Sequence, residues 1–430
     1  MNRYFPLQKL PAQTGYNKGD VFVLVGELFG RGYANGIVDE ARKAGMTIIG
    51  TTVGRRDNGG ALRSLNAEEL VEAEANLGGR IINIPLEAGF DMEPASDGQS
   101  FADILKTVKP DSFESFVCDK SRLDEVRAKG AARFRSHLAA VVAELQKEIP
   151  AGANILFSHA MAGGIPRARI FMPLLNRVFK STGDKYLSSA AFWQSGLGEL
   201  CQASFNEVSA DTFAHLLDVT AQLRATNTVR YTAYGYHGCE VLINGAYTWQ
   251  SYTPYVQGWA KIRLEDHAIA AREKGIIATV YNCPEIQTNS SALFMGVEIS
   301  LYPLIAALKK DGESAAARGV FVECQELLND GVSLDDILTA AEKYLSAPLL
   351  QQFAKLSEWP HHNTREQMEL MLTASAELIA MNKNPKEIVC APLSRVVFKT
   401  TGQLMFHDSW APEKPVAWLN HDIVAKRFNS

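Results

Sequence analysis

The chain has 430 residues, enough for one large domain or two ordinary ones, and 47% of them are apolar against 21% charged. That balance excludes intrinsic disorder and fits a soluble globular protein. A net charge of −5 argues against a basic nucleic-acid-binding surface, and no run of about 18 apolar residues offers a membrane span.

The first twenty residues, MNRYFPLQKLPAQTGYNKGD, lack an apolar stretch of signal-peptide type, so a secretory signal is not expected. Next comes VFVLV (21–25), a buried-strand pattern, and then a helical one in which Ala34, Ile37, Val38 and Ala41 share a face. Gly45 ends that helix and MTIIGTTV (46–53) reads as a second strand. Strand, helix and strand within so short a stretch form a βαβ unit and imply a parallel sheet. Further strands are expected at 80–86, 153–160, 228–236 and 275–282, separated by helices at 124–148, 168–180, 258–273 and 290–310. This alternation predicts an α/β fold with a doubly wound parallel sheet. Helices are expected at 314–330, 334–345 and 364–382, a late strand at 387–394, and a loop-like last 35 residues. Six scattered cysteines without a C-x-x-C pair fit a reducing compartment, and the expected location is cytoplasmic.

The first strand runs into VGELFGRGYANG (25–36), in which Gly26, Gly30 and Gly32 form G-x-x-x-G-x-G and Gly36 follows. Glycines at the exit of the first strand of a βαβ unit let backbone amides and a helix N-terminus approach a pyrophosphate. The plain alternative is a βα turn. The second strand ends in TTVGRRDNGG (51–60). A dinucleotide site often carries an acid there for the ribose 2′-hydroxyl. Here Arg55 and Arg56 argue instead for a 2′-phosphate and hence NADPH, with NADH and Asp57 on the ribose as the alternative. Both arginines also read as ordinary loop charges.

YTWQSYTPYVQGWAK (247–261) places three tyrosines before Lys261. An ammonium beside a phenol sharpens it as a hydrogen-bond donor to a developing oxyanion, and the same lysine can hold ribose hydroxyls. Aromatic clusters of this kind also serve as core or pocket wall. After the fourth expected strand, Ser158, Ala160, Gly163 and Gly164 supply the small residues that backbone packing against a cofactor needs. Arg167, Arg169, Arg177 and Lys180 form a basic cluster for phosphates or an acidic carrier, or a solvated helix face. No H-E-x-x-H or comparable spacing suggests a metal.

With these motifs in view, the chain resembles the short-chain dehydrogenase/reductase superfamily. Within it, the resemblance is to the long enoyl-thioester reductases, the FabV type of enoyl-ACP reductase and trans-2-enoyl-CoA reductase. Their Y-x8-K motif matches Tyr252 and Lys261, and their glycine loop matches Gly26, Gly30 and Gly32. IQTNSSALFMGVEISLYPLIAALKKDG (286–312), with Thr288 in its polar opening, is similar to the stretch after their sixth strand, and YGY at 234–236 to a tyrosine pair. The resemblance implies a Rossmann-like cofactor and catalytic domain over 19–312, after a lead segment (1–18) and before a mostly helical C-terminal extension (313–430) packed against it. It also implies a nicotinamide cofactor and an enoyl-thioester substrate, on acyl carrier protein or CoA. Tyr252 would stabilise the enolate, Lys261 would position the cofactor, and Tyr236 would be a second tyrosine near the thioester. A carbonyl reductase and a non-catalytic NADP-binding protein stay open beside this reading, as do monomer and homo-oligomer.

Overall fold

In the computed structural model, the described residues are 3–30, 32–171, 174, 189–235, 238–250, 256–288, 296–353 and 364–430. The first strand, β1 (Val21–Val25), is buried along its whole length. It lies between β2 (Thr47–Thr52) and β6 (Asn154–His159), parallel to both, with Val21 facing Thr47 on one side and Ile155 on the other. An unbroken apolar run is what a strand covered on both faces requires. Phe22 and Leu24 pack on one face of the sheet against helix α1 (Ala34–Lys43). Val21, Val23 and Val25 pack on the other with the buried stripe of the long helix α3 (Lys120–Glu148). Helix α1 buries Ala34, Ile37, Val38 and Ala41 as their spacing predicts, and Gly45 follows it at φ +74°.

Among the described residues the sheet has seven strands in the order β11-β10-β7-β6-β1-β2-β5, with β5 at Arg80–Pro85, β7 at Thr228–Gly235, β10 at Ile277–Asn282 and β11 at Val416–Trp418. All six pairings are parallel. Strand order reverses between β1 and β6, and in such sheets ligands bind in the crevice beyond the strand C-termini at that point. Among the described residues, two small hairpins stand outside the sheet: β3 (Arg55–Arg56) with β4 (Leu62–Arg63), and β8 (Cys239–Ile243) with β9 (Ala246–Gln250). Helix α2 (Ala67–Leu77), with a capping box of Asn66 and Glu69, leads into β5. No described helix is long and apolar enough to cross a membrane.

The C-terminal third corrects two expectations. The apolar run at 387–394 is no strand; it opens helix α11 (Cys390–Asp408), which follows the helices at Ala315–Glu326, Leu334–Leu345 and Arg365–Ala380. Cys390, Leu393, Val396, Val397 and Leu404 are all buried, so the helix is apolar on most sides and its short opening run carries no legible period. Pro392 falls in its first turn, where a missing N–H costs little. The last residues are not a loop either: β11 joins the sheet beside β10 (Val280 facing Val416) and helix α12 (His421–Asn429) closes the chain. Trp418 is fully buried against Trp249 and Tyr4. Residues 5–7 run along β11 through Trp418 N–H to Phe5 O and Leu7 N–H to Trp418 O, both 2.9 Å. Both ends of the chain thus cover the outer edge of the sheet.

Candidate functional site

At the exit of β1, Gly26 has φ +123° and its N–H donates to Thr51 Oγ1 (3.0 Å). A Cβ there would stand 3.2 Å from the carbonyl carbon of Ala160, whose own N–H donates to Val25 O (2.8 Å). Gly26 therefore lacks a side chain so that the exits of β1 and β6 can touch. Gly30 and Gly32 differ: nothing lies within 4 Å of where their Cβ atoms would be. The open space they border lies before the N-terminus of α1, where Tyr33 provides no side-chain cap. A helix N-terminus without a side-chain cap, beside an open backbone cradle, fits a diphosphate. Gly36 has another task. A Cβ on it would meet Phe398 O of α11 at 2.0 Å, and one on Gly402 would meet the Gly36 carbonyl carbon at 2.2 Å. The helix that follows the glycine loop is thus held glycine to glycine against the C-terminal region.

Tyr33 ties the loop across the crevice. Its hydroxyl donates to Pro284 O (2.5 Å), and its ring stacks on Tyr234 at 5.6 Å. The Tyr234 hydroxyl donates to Tyr33 O (3.3 Å), and burial pushes this phenol well above its usual range. Ser158 is buried beside it, and its hydroxyl partly offsets that rise. The Gly163–Gly164 turn after β6 is anchored by Ser209 Oγ donating to Gly163 O (2.6 Å) from a π-turn at Glu207–Asp211. Buried Asp91 accepts from Ala168 N–H (3.0 Å) further along.

The arginines at the end of β2 do not behave as expected. Arg55 Nη1 pairs with Glu27 at 2.8 and 3.1 Å, and Arg56 pairs with Glu87 at 2.6 Å and donates to Gly60 O (2.5 Å). Both guanidiniums are matched by carboxylates, so the case they made for a 2′-phosphate falls away. Asp57 Oδ1 accepts from Ala61 N–H (2.9 Å) within the hairpin turn. Of the basic cluster, Arg167 is also paired with Glu87 (2.5 Å) and Arg169 is exposed. Arg177 and Lys180 lie outside the described residues.

Lys261 stands on helix α6 (Val256–Glu273) and is buried. Burial lowers its pKa to about 7, partly offset by the neighbouring Cys283 thiol at the exit of β10. His159, at the end of β6, is held well below its usual pKa first by burial and then by the Lys261 charge. These neighbours put the amine at the C-terminal ends of the central strands, on the crevice. Tyr252 and Tyr236 lie outside the described residues, as do Tyr255 and His237. Thr288 is half-buried in the segment after β10, where Gln287 N–H donates to Ser394 Oγ (2.9 Å).

One turn beyond Lys261, Glu265 is fully buried; it accepts from Asn282 Nδ2 (2.6 Å) and from Arg3 Nη1 (3.3 Å). Burial raises its pKa from 4.5 to about 8, against the pull of Asn282 and Arg3. A raised pKa gives stability that is full below the unfolded value and lost as pH rises through the folded one. The thermal midpoint is therefore expected to fall as pH rises from about 4.5 to about 8. Glu265→Gln should flatten that slope, and an unchanged slope would exclude Glu265 as its source.

Comparison with known proteins now bears on this crevice. A family model described as enoyl-acyl carrier protein reductase FabMG matches residues 3–428. The chain belongs to the FabMG family of enoyl-acyl carrier protein reductases. A solved apo structure of FabMG is 48% identical over 100% of this chain and 99% of its own, with TM-score 0.95. An NADH-bound structure of FabMG is 39% identical over the same shares, with TM-score 0.80. A comparison with curated proteins finds no match.

The FabMG family meets the activity class that the resemblance to enoyl-thioester reductases implied. Sequence reasoning missed Glu27 and Tyr33 at the crevice and Gly402 behind helix α1. Glu27 lay inside a loop read only for its glycines. Tyr33 was passed over as the residue before a helix, and Gly402 had no signal until its partner Gly36 was placed.

Proposed function

We propose that this chain reduces the carbon–carbon double bond of an enoyl thioester carried on acyl carrier protein, using NADH, in the cytoplasm. The observation that carries the reading is the open cradle at Gly30 and Gly32 before the uncapped N-terminus of α1, with buried Lys261 at the same end of the sheet. Family membership and the NADH held by a 39%-identical FabMG structure support it, and the pairing of Arg55 and Arg56 with carboxylates favours NADH over NADPH.

When bound, the reduced nicotinamide supplies a hydride to the substrate β-carbon. The rest falls to the chain. Gly30 and Gly32 let the loop backbone reach the diphosphate, and Ser158, Ala160 and Thr288 line the passage toward the reacting end. Lys261 holds the ribose and favours the Tyr252 phenol as donor to the thioester oxygen, where negative charge develops, and the enolate then takes a proton at its α-carbon from water or Tyr252. Tyr236 is a second donor near the thioester. The test is NADH oxidation with crotonyl and acetoacetyl thioesters, each on carrier protein and on CoA. Turnover of crotonyl-carrier protein with acetoacetyl thioesters inert is expected; the reverse would make the chain a carbonyl reductase, and NADH binding without any turnover would remove the enzymatic reading.

A further inference from the structure

A cavity of about 220 Å³ opens beside the glycine loop, lined among others by Glu27, Phe29, Gly30, Arg55, Glu72 and Asn76. It runs from the cradle toward helix α2, the direction in which the adenosine half of a dinucleotide lies from a first-strand loop. At its head stands the Glu27 carboxylate, with only 7% of its side chain exposed. Glu27 accepts from Thr52 Oγ1, at the end of β2, and from Arg55 Nη1. The end of β2 itself, Thr52-Val53-Gly54, carries no acid. Gly54 could not readily do so: it has φ +76°, and a Cβ there would lie 2.4 Å from Pro85 Cβ and 2.7 Å from Arg63 O. The acid that would ordinarily read the ribose has no room on β2, and a carboxylate reaches the same strand end from the exit of β1.

We propose that Glu27 is the residue that selects an unphosphorylated adenosine ribose, with Arg55 as its counter-ion. The inference rests on the cofactor reading above. A carboxylate offers only acceptors; it can take hydrogen bonds from ribose hydroxyls and repels a 2′-phosphate. Glu69 and Glu72 in the same lining deepen the repulsion, although Arg63 pairs with Glu69 at 2.7 and 2.9 Å. Arg55 pairs with the carboxylate and is itself neutralised by it, so the phosphate gains no free cation. With Glu27 uncharged, Arg55 becomes available to a 2′-phosphate, and the preference weakens from both sides.

The experiment is fluorescence titration of the full chain with NADH and with NADPH, alongside thermal melts without ligand. The unaltered chain should bind NADH at least about tenfold more tightly, about 1.4 kcal/mol. Glu27→Gln should reduce the ratio of the two Kd values by at least about tenfold, weakening NADH and strengthening NADPH. Adding Arg55→Ala to Glu27→Gln should remove the gain for NADPH. Arg55→Ala alone should keep NADH preferred, and it remains informative should Glu27→Gln not fold. Equal Kd values for the unaltered chain, an unchanged ratio in folded Glu27→Gln, or loss of preference in Arg55→Ala would each overturn the role of Glu27 while leaving dinucleotide binding itself intact. Binding of neither dinucleotide by the unaltered chain would overturn both.

Discussion

Lys261→Met is expected to lower kcat by about 10²–10⁴-fold, the range for loss of a group that positions or activates an acid–base partner. Methionine keeps most of the stem volume and removes the ammonium, so packing in the buried site changes little. Tyr252→Phe should fall by about 10²–10³-fold, as for one oxyanion donor. If the two residues act as a unit, the double variant should lose less than the product of the single losses. The pH profile sharpens the test. Lys261 is cationic below about 7 and neutral above. If its charge is required, kcat/KM, which reports the free enzyme, should decline as pH rises through that value, and Lys261→Met should lack the decline. Stability moves the other way. A lowered folded pKa means that protonating the buried amine costs stability, fully below about 7 and less toward 10.5, its ordinary value. The methionine variant should therefore melt no lower than the unaltered chain at about pH 6. Loss of activity together with a large loss of stability would mark Lys261 as a structural residue.

The second large effect is on folding. Gly36→Ala is expected to destabilise the chain by about 3 kcal/mol, at the upper end of overpacking costs. The added methyl would meet Phe398 O at 2.0 Å and the Gly402 Cα at 3.1 Å. Both are backbone atoms of α11, so no side chain can turn aside, and the two helices must part. Because α1 carries the uncapped N-terminus toward the cradle, dinucleotide affinity should fall with stability. Gly30→Ala and Gly32→Ala provide the contrast: their sites are open within 4 Å, so urea midpoints should hold while affinity drops. A stable Gly36→Ala, or a cradle variant that unfolds instead, would contradict this division of labour among the four glycines.

That division was only partly legible in the sequence. The alternation of apolar runs gave each of the six longer sheet strands to within a residue or two, because strands buried on both faces are uniformly apolar and bounded by turns. The glycine loop was legible by position, but which glycine serves a ligand and which serves packing depends on what stands opposite. Ala160 and Phe398 are about 130 and 360 residues away along the chain, beyond the reach of any local pattern. The arginines misled for the same reason: their partners Glu27 and Glu87 belong to other strand exits. The final strand stayed hidden because only three residues of it, after Pro415, belong to the sheet, and its place was set by Val280 and the N-terminal residues rather than by its own propensity.

The most direct measurement is the fate of label from NADH deuterated at the transferred position, followed by mass spectrometry of the acyl group after reaction with crotonyl-carrier protein. The account predicts a saturated butyryl product carrying a single deuterium at its β-carbon, and loss of that product in Lys261→Met. Label on a hydroxyl-bearing carbon, or an unlabelled acyl chain despite bound NADH, would contradict it.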